Sequence, residues 1–318
     1  MNLLPAIESY ASMRRALGAD FTTATKILRS FGRTLGDLPL EAVSDKQCEA
    51  FCLGCQRRRF LREKHATLNA FFRYLVGRGA LAVSPLPDPP RRSPSSFQPY
   101  IYSHEELKRL LDATAIVGAT RRWRMQPQTL RTLLLLLYGA GLRVGEALSL
   151  RFCDVNLAER VLSVWDSKFF KSRLIPIGEW LSGALAEYLS MREELPVLEG
   201  ERSWVFVFRT GKALSYCAVR AAFAQLRERA GVQRPKGDYG QPPPRIHDLR
   251  ATFAVHRLIA WYREGANVQA RLPLLATYLG HASVAGTMCY LSMIPSLLSE
   301  AALRFERYAL QPKENDDD

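Results

Sequence analysis

The sequence predicts a mainly α-helical protein of two domains: an all-helical amino-terminal domain, then an α+β domain with a small β-hairpin or sheet. Three observations carry this. Apolar residues recur at helical spacing along most of the chain. Only two short β-branched stretches, residues 161–165 and 173–177, depart from that period. One segment, residues 84–99, holds six prolines in sixteen positions and cannot form a helix or a central strand.

The elements follow in order. Residues 7–17, 22–31, 40–53 and 60–75 each read as an amphipathic helix with a short turn after it, which makes residues 1–83 a helical domain. Residues 84–99 are the linker, and a proline-rich spacer of this kind limits how far the two domains swing. Residues 100–311 form the larger domain. A capping-box pattern at Ser103-His-Glu-Glu opens its first helix, and residues 130–138 continue as a strongly apolar one. The hairpin strands at 161–165 and 173–177 flank a lysine-rich turn, helices resume at Glu179, and residues 233–244 read as a loop. The acidic tail, residues 312–318, is expected to be disordered.

A chain of 318 residues with 47% hydrophobic and 24% charged residues buries substantial cores. Its net charge of +13 favours a polyanionic partner, nucleic acid before anionic membrane, because each cation placed on a phosphate releases counterions. Residues 1–99 hold 15 basic and 8 acidic side chains, so the small domain is the more densely basic. Its run Arg57, Arg58, Arg59, Arg62 and Lys64 is the candidate DNA-binding patch, with a solvated helix face as the ordinary alternative. No apolar stretch approaches the ~20 residues of a membrane span, and no signal-peptide pattern opens the chain. A cytoplasmic, nucleoid-associated protein with no membrane partner is expected. Cys48, Cys52 and Cys55 have a spacing that holds iron–sulfur clusters, yet they also share one helical face, and no fourth ligand follows. They are read as buried small hydrophobes.

Four separated segments carry chemistry: Gly141-Leu-Arg-Val-Gly-Glu146, Ser167-Lys-Phe-Phe-Lys-Ser-Arg173, His247-Asp-Leu-Arg250, and Leu279-Gly-His281 with Tyr290 nine residues later. Each alone has an ordinary structural reading. Together they suit attack by a tyrosine on a phosphodiester. Arg143 and Arg250, planar and permanently charged, can clamp the scissile phosphate and offset charge in its transition state. Lys168 on the hairpin turn can protonate the leaving 5′ oxygen, and His247 and His281 supply donors or proton carriers near neutral pH. Tyr290 as nucleophile forms a phosphotyrosine that keeps the bond energy for rejoining. Glu146, three residues after Arg143, could be taken for a general base, and Asp248 is read as a residue orienting a helix start. No carboxylate cluster with Mg²⁺ spacing and no Walker loop accompanies these segments, so neither a metal nor a nucleotide cofactor is expected.

On these residues the chain resembles the tyrosine recombinase family, similar to phage integrases and Xer recombinases, over roughly residues 100–300. All six of the family's catalytic positions have a match, in Arg143, Lys168, His247, Arg250, His281 and Tyr290. Lys168 rather than Lys171 is chosen because the hairpin resembles the family's Lys-x-x-Lys-x-Arg-x-x-Pro pattern. The resemblance also implies that Glu146 supports the arginine helix and is no base, while the amino-terminal helices resemble the family's core-binding domain more loosely. The resemblance implies a clamp around double-stranded DNA, a homotetramer on paired sites, a Holliday junction, a carboxy-terminal tail docking on a neighbour, and in some cases an accessory protein. Two alternatives are a type IB topoisomerase, against which His247 speaks because such enzymes usually carry Lys there, and a non-catalytic DNA-binding descendant.

Overall fold

The structure, a computed structural model, describes residues 1–19, 21–54, 58–88, 98–118, 125–167, 171–196, 199–235, 241–281 and 283–290, with 299, 302, 303 and 306. The chain divides into two compact units, Met1–Ser95 and Ser96–Asp318, so the division falls inside the proline-rich segment. Within that segment residues 89–97 lie outside the described residues, as do Cys55, the tail at 312–318 and nearly all of the apolar stripe after Tyr290.

The first unit comprises α1 (Leu3–Ala16), α2 (Thr22–Leu35), α3 (Asp45–Leu53) and α4 (Arg58–Gly77). Ser44 starts α3 by a reciprocal cap: its hydroxyl accepts from the Gln47 amide, and the Gln47 side chain accepts from the Ser44 amide. The helices form because each has one apolar face to bury. In α4 this face is Leu68, Phe71, Phe72 and Leu75, at steps of three and four, all fully buried with Ile7, Leu28 and Phe31. Each such side chain contributes about 1.5–3 kcal/mol on burial. Cys48 and Cys52 sit in this core, one turn apart on α3, and burial first of all pushes the Cys48 thiol up to about 12.

The second unit comprises α5 (His104–Gly118), α6 (Pro127–Gly139), α7 (Val144–Leu148), β1 (Val155–Asn156), β2 (Val161–Ser167), β3 (Lys171–Pro176), α8 (Glu179–Glu193), α9 (Tyr216–Arg229), α10 (Asp248–Arg263), α11 (Val268–Leu279) and α12 (Ala285–Met288). Ser103 and Glu106 cap α5 reciprocally, and Pro127 occupies the first position of α6, where its missing N–H costs nothing. Residues 133–137 of α6 are all buried, and α5, α8 and α10 pack around this helix. A helix apolar on every side belongs at the centre of a core.

The strands form an antiparallel sheet in the order β1-β2-β3. The two-residue strand β1 adds to the hairpin that the sequence predicts. Leu162 opposes Ile175 and Val164 opposes Arg173, so Arg173 lies on the same inward face as Leu162, Val164 and Ile175. A cation on a buried face needs a partner, and this one finds it at the site.

Candidate active site

The end of α11 organises the site. An α-helix leaves its last carbonyls without intrahelical donors, and its dipole makes that end negative. Here three successive carbonyls each receive a guanidinium. Arg173 Nε donates to the Tyr278 oxygen at 3.0 Å, Arg250 Nη2 donates to the Leu279 oxygen, and Arg143 Nη2 donates to the Gly280 oxygen at 2.6 Å. Gly280 terminates the helix in the left-handed region at φ 66°, and a Cβ there would lie 2.8 Å from Arg173 Nη1. The Leu279-Gly-His281 segment therefore requires glycine for both its conformation and its packing.

Glu146 ties the same arginines together from the other side. It is buried near the start of α7, and it accepts from the Arg143 amide at 2.9 Å and from Arg143 Nη1 at 2.5 Å. It also accepts a fork from Arg173, with Nη1 at 3.1 Å and Nη2 at 2.8 Å. Arg250 Nη1 stands 3.9 Å away. Burial by itself raises the Glu146 pKa, but the hydrogen bonds from Arg173 and Arg143 overcome it and hold the carboxyl at about 2. Three guanidinium groups around one carboxylate leave a surplus of positive charge, as an anion site requires.

Arg250 stands in the first turn of α10 with its side chain 3% exposed. Its Nη1 donates to the Gly141 carbonyl at 2.7 Å. Gly141 has φ 59°, and a Cβ there would be 2.6 Å from the Phe253 ring, so glycine lets the chain pass close enough to accept that bond. Burial first, then the Arg143 charge, lowers the Arg250 pKa to about 10. The Arg250 charge also acts on the Tyr290 phenol. Burial raises the phenol's pKa and Arg250 opposes the rise, so the phenol is protonated at neutral pH.

The two histidines differ. His247 is exposed just before α10; partial desolvation, then Arg250 and Arg245, lower its pKa. Asp248 is engaged by Arg245, which donates its amide at 2.9 Å and Nη2 at 2.7 Å, and this fixes the start of α10. His281 is partly buried, its ring centroid 6.1 Å from that of Tyr290 and its Nδ1 2.7 Å from the Thr287 hydroxyl. Desolvation and then Arg250, Arg143 and Arg173 bring its pKa down to about 4, so the ring is neutral at pH 7.

The fold thus gathers Arg143, His247, Arg250, His281 and Tyr290 into one site. Lys168 lies outside the described residues; β2 and β3, on either side of it, are in place. In the basic run of the first unit, Arg57 lies outside the described residues, and Arg58 and Arg59 open α4. Arg62 follows on the same helix. Lys64 donates to the Phe51 carbonyl at 2.7 Å and stands 4.1 Å from the centre of that ring, so it closes the end of α3. Two site residues escaped the sequence reading. Arg173 was visible as a cation alternating with apolar neighbours on a strand, whereas nothing local marked Thr287.

Residues 101–294 match the phage integrase family. A protein of Sinorhizobium fredii named as an integrase/recombinase, y4rB, is 30% identical over 312 residues, covering 95% of this chain and 96% of the relative. The tyrosine recombinase XerD of Bifidobacterium longum is 31% identical over 245 residues, covering 75% and 72%. Among solved structures, a lambda integrase tetramer bound to a Holliday junction superposes with a TM-score of 0.64 at 19% identity, covering 91% of this chain and 77% of that one, which establishes a shared fold. Three arginines on one helix end beside a tyrosine, and relatives alike along most of their length, place this chain in the phage integrase family, the tyrosine recombinases.

Proposed function

We propose that the protein is a site-specific DNA recombinase that cuts and rejoins duplex DNA through a phosphotyrosine on Tyr290, integrating, excising or resolving mobile or replicon DNA. The observation that carries this is the Tyr290 ring beside His281, within the field of Arg250 and Arg143, at a cluster of three arginines around one carboxylate.

In the proposed step the Tyr290 oxygen attacks the scissile phosphorus. The new oxygen–phosphorus bond forms at the 3′ phosphate as the bond to the 5′ oxygen breaks. The phenol must lose its proton during attack, and His247, exposed and held neutral, is the acceptor. Arg143 and Arg250 neutralise the charge on the non-bridging oxygens. Lys168 gives a proton to the departing 5′ oxygen. A 5′ hydroxyl from another strand reverses these steps, so no external energy source is required. Cleavage in two rounds by a homotetramer would pass through a Holliday junction, and the lambda integrase tetramer on such a junction supports that assembly. On this reading residues 1–83 grip DNA through the basic start of α4, residues 84–99 link the domains, and the protein works in the cytoplasm on the nucleoid.

The test is a denaturing gel for a protein–DNA adduct, wild type against Tyr290→Phe, on nicked duplexes tiled from DNA flanking the gene. An adduct that Tyr290→Phe abolishes while binding persists is the expected result. Binding by both proteins with no adduct from either overturns the proposal in favour of a non-catalytic DNA-binding protein.

A further inference from the structure

Thr287 precedes the tyrosine by three residues and is fully buried. Elsewhere in the chain, Thr25, Thr34, Thr252 and Thr277 give their hydroxyl proton to the carbonyl four residues back. Thr287 departs from this habit. Among the described residues its hydroxyl meets only His281 Nδ1, at 2.7 Å, while its carbonyl accepts from the Tyr290 amide at 3.0 Å. One residue thus holds both the imidazole and the turn that carries the phenol.

The hydrogen bond has a direction. A hydroxyl has one proton to give, and a buried one with a single partner must give it there or leave it unmet. If Nδ1 carried the ring proton, the threonine could only accept there, and its own O–H would have no acceptor among the described residues. If Nδ1 is bare, the O–H is satisfied and only lone pairs stay unused. The second state is favoured by about tenfold or more, and it puts the ring proton on Nε2, across the ring from Thr287.

We propose that Thr287 is a positioning residue for strand cleavage: its hydroxyl fixes His281 as the Nε2–H tautomer, so His281 donates a hydrogen bond to a phosphate oxygen and does not take the proton of Tyr290. The inference rests on the reading of the site given above. It separates two histidines that the sequence leaves interchangeable, because a ring whose only free nitrogen is a donor cannot act as the base. The ring is neutral at pH 7, with burial and then the neighbouring arginines as the cause, so it has a tautomer to select.

Long-range proton–nitrogen spectra of the full-length protein with labelled histidine, with His281 assigned through His281→Gln, report which ring nitrogen carries the proton. Wild type and Thr287→Ser are expected to show Nε2–H. Thr287→Val, similar in shape but without the donor, is expected to show Nδ1–H as well. Its adduct formation at saturating DNA should be slower by about tenfold, with unchanged Kd and with Thr287→Ser close to wild type. A wild-type His281 protonated at Nδ1, or a Thr287→Val protein with unaltered tautomer and rate, overturns the proposal. If wild type forms no adduct on any duplex, the recombinase reading fails, and the spectra still decide the tautomer.

Discussion

Replacing Glu146 with Gln leaves three guanidinium groups around a neutral amide in a buried space. The size of the effect follows from the carboxyl itself. Its pKa falls from 4.5 to about 2, and at ~1.4 kcal/mol per pKa unit the surroundings favour the charged form by about 3 kcal/mol. Removing one member of a buried ion pair costs about 3–5 kcal/mol in general, and whole domains are stable by about 5–15 kcal/mol, so the second unit should lose a large part of its stability. The sign with pH is fixed as well. Because the folded pKa is depressed, the contribution is complete above about pH 5 and is lost as pH falls from about 4.5 towards 2. Urea unfolding followed by tryptophan fluorescence measures this, since all five tryptophans, at 123, 165, 180, 204 and 261, belong to the second unit. The gap between wild type and Glu146→Gln should be about 3 kcal/mol at pH 7 and should close on acidification. A gap under about 1 kcal/mol at pH 7, or one that persists at pH 2, refutes the assignment of Glu146 as the hub of the arginines.

Two further outcomes are expected. Gly280→Ala should cost the second unit about 1–2 kcal/mol or more in the same fluorescence assay and slow adduct formation, because its φ of 66° disfavours a side chain and the new Cβ would press on Arg173; wild-type stability would contradict this. Lys64→Ala should lower hydrogen-exchange protection across α3 and α4 by about 1 kcal/mol while leaving the salt dependence of DNA binding unchanged, because its ammonium is occupied at Phe51. A salt slope reduced by about one would instead show that Lys64 reaches a phosphate.

How far the sequence reaches is set by the range of each interaction. Helix positions are local facts: steps of three and four residues and the caps at Ser44 and Ser103 are written in adjacent residues, and α2, α4, α5 and α6 stand close to where the pattern puts them, whereas α1 begins earlier, at Leu3, and the helix expected over 40–53 begins only at Asp45, because Ser44 caps it there and residues 40–42 form a separate 3-10 turn. The hairpin is equally local. The strand β1, with only two residues, is too short to show a period of two. The identities of the candidate site residues were legible because Arg143, His247, Arg250, His281 and Tyr290 lie in short, spaced motifs.

Their roles in the structure were not legible, because these depend on residues far apart in the chain. Arg143 finds the Gly280 carbonyl 137 residues away, Arg250 reaches Gly141 across 109, and Arg173 reaches Tyr278 across 105. Nothing local specified that three arginines would share one helix end, that Glu146 would bind two of them, or that Lys64 would turn to Phe51. The basis is physical: propensity and capping act within a turn or two of chain, whereas a guanidinium's partner is whichever carbonyl or carboxylate packing leaves without one. By itself the sequence carried the helical periods, the proline-rich break and the candidate groups in their short motifs; only the tertiary structure decided which residues hold those groups in place.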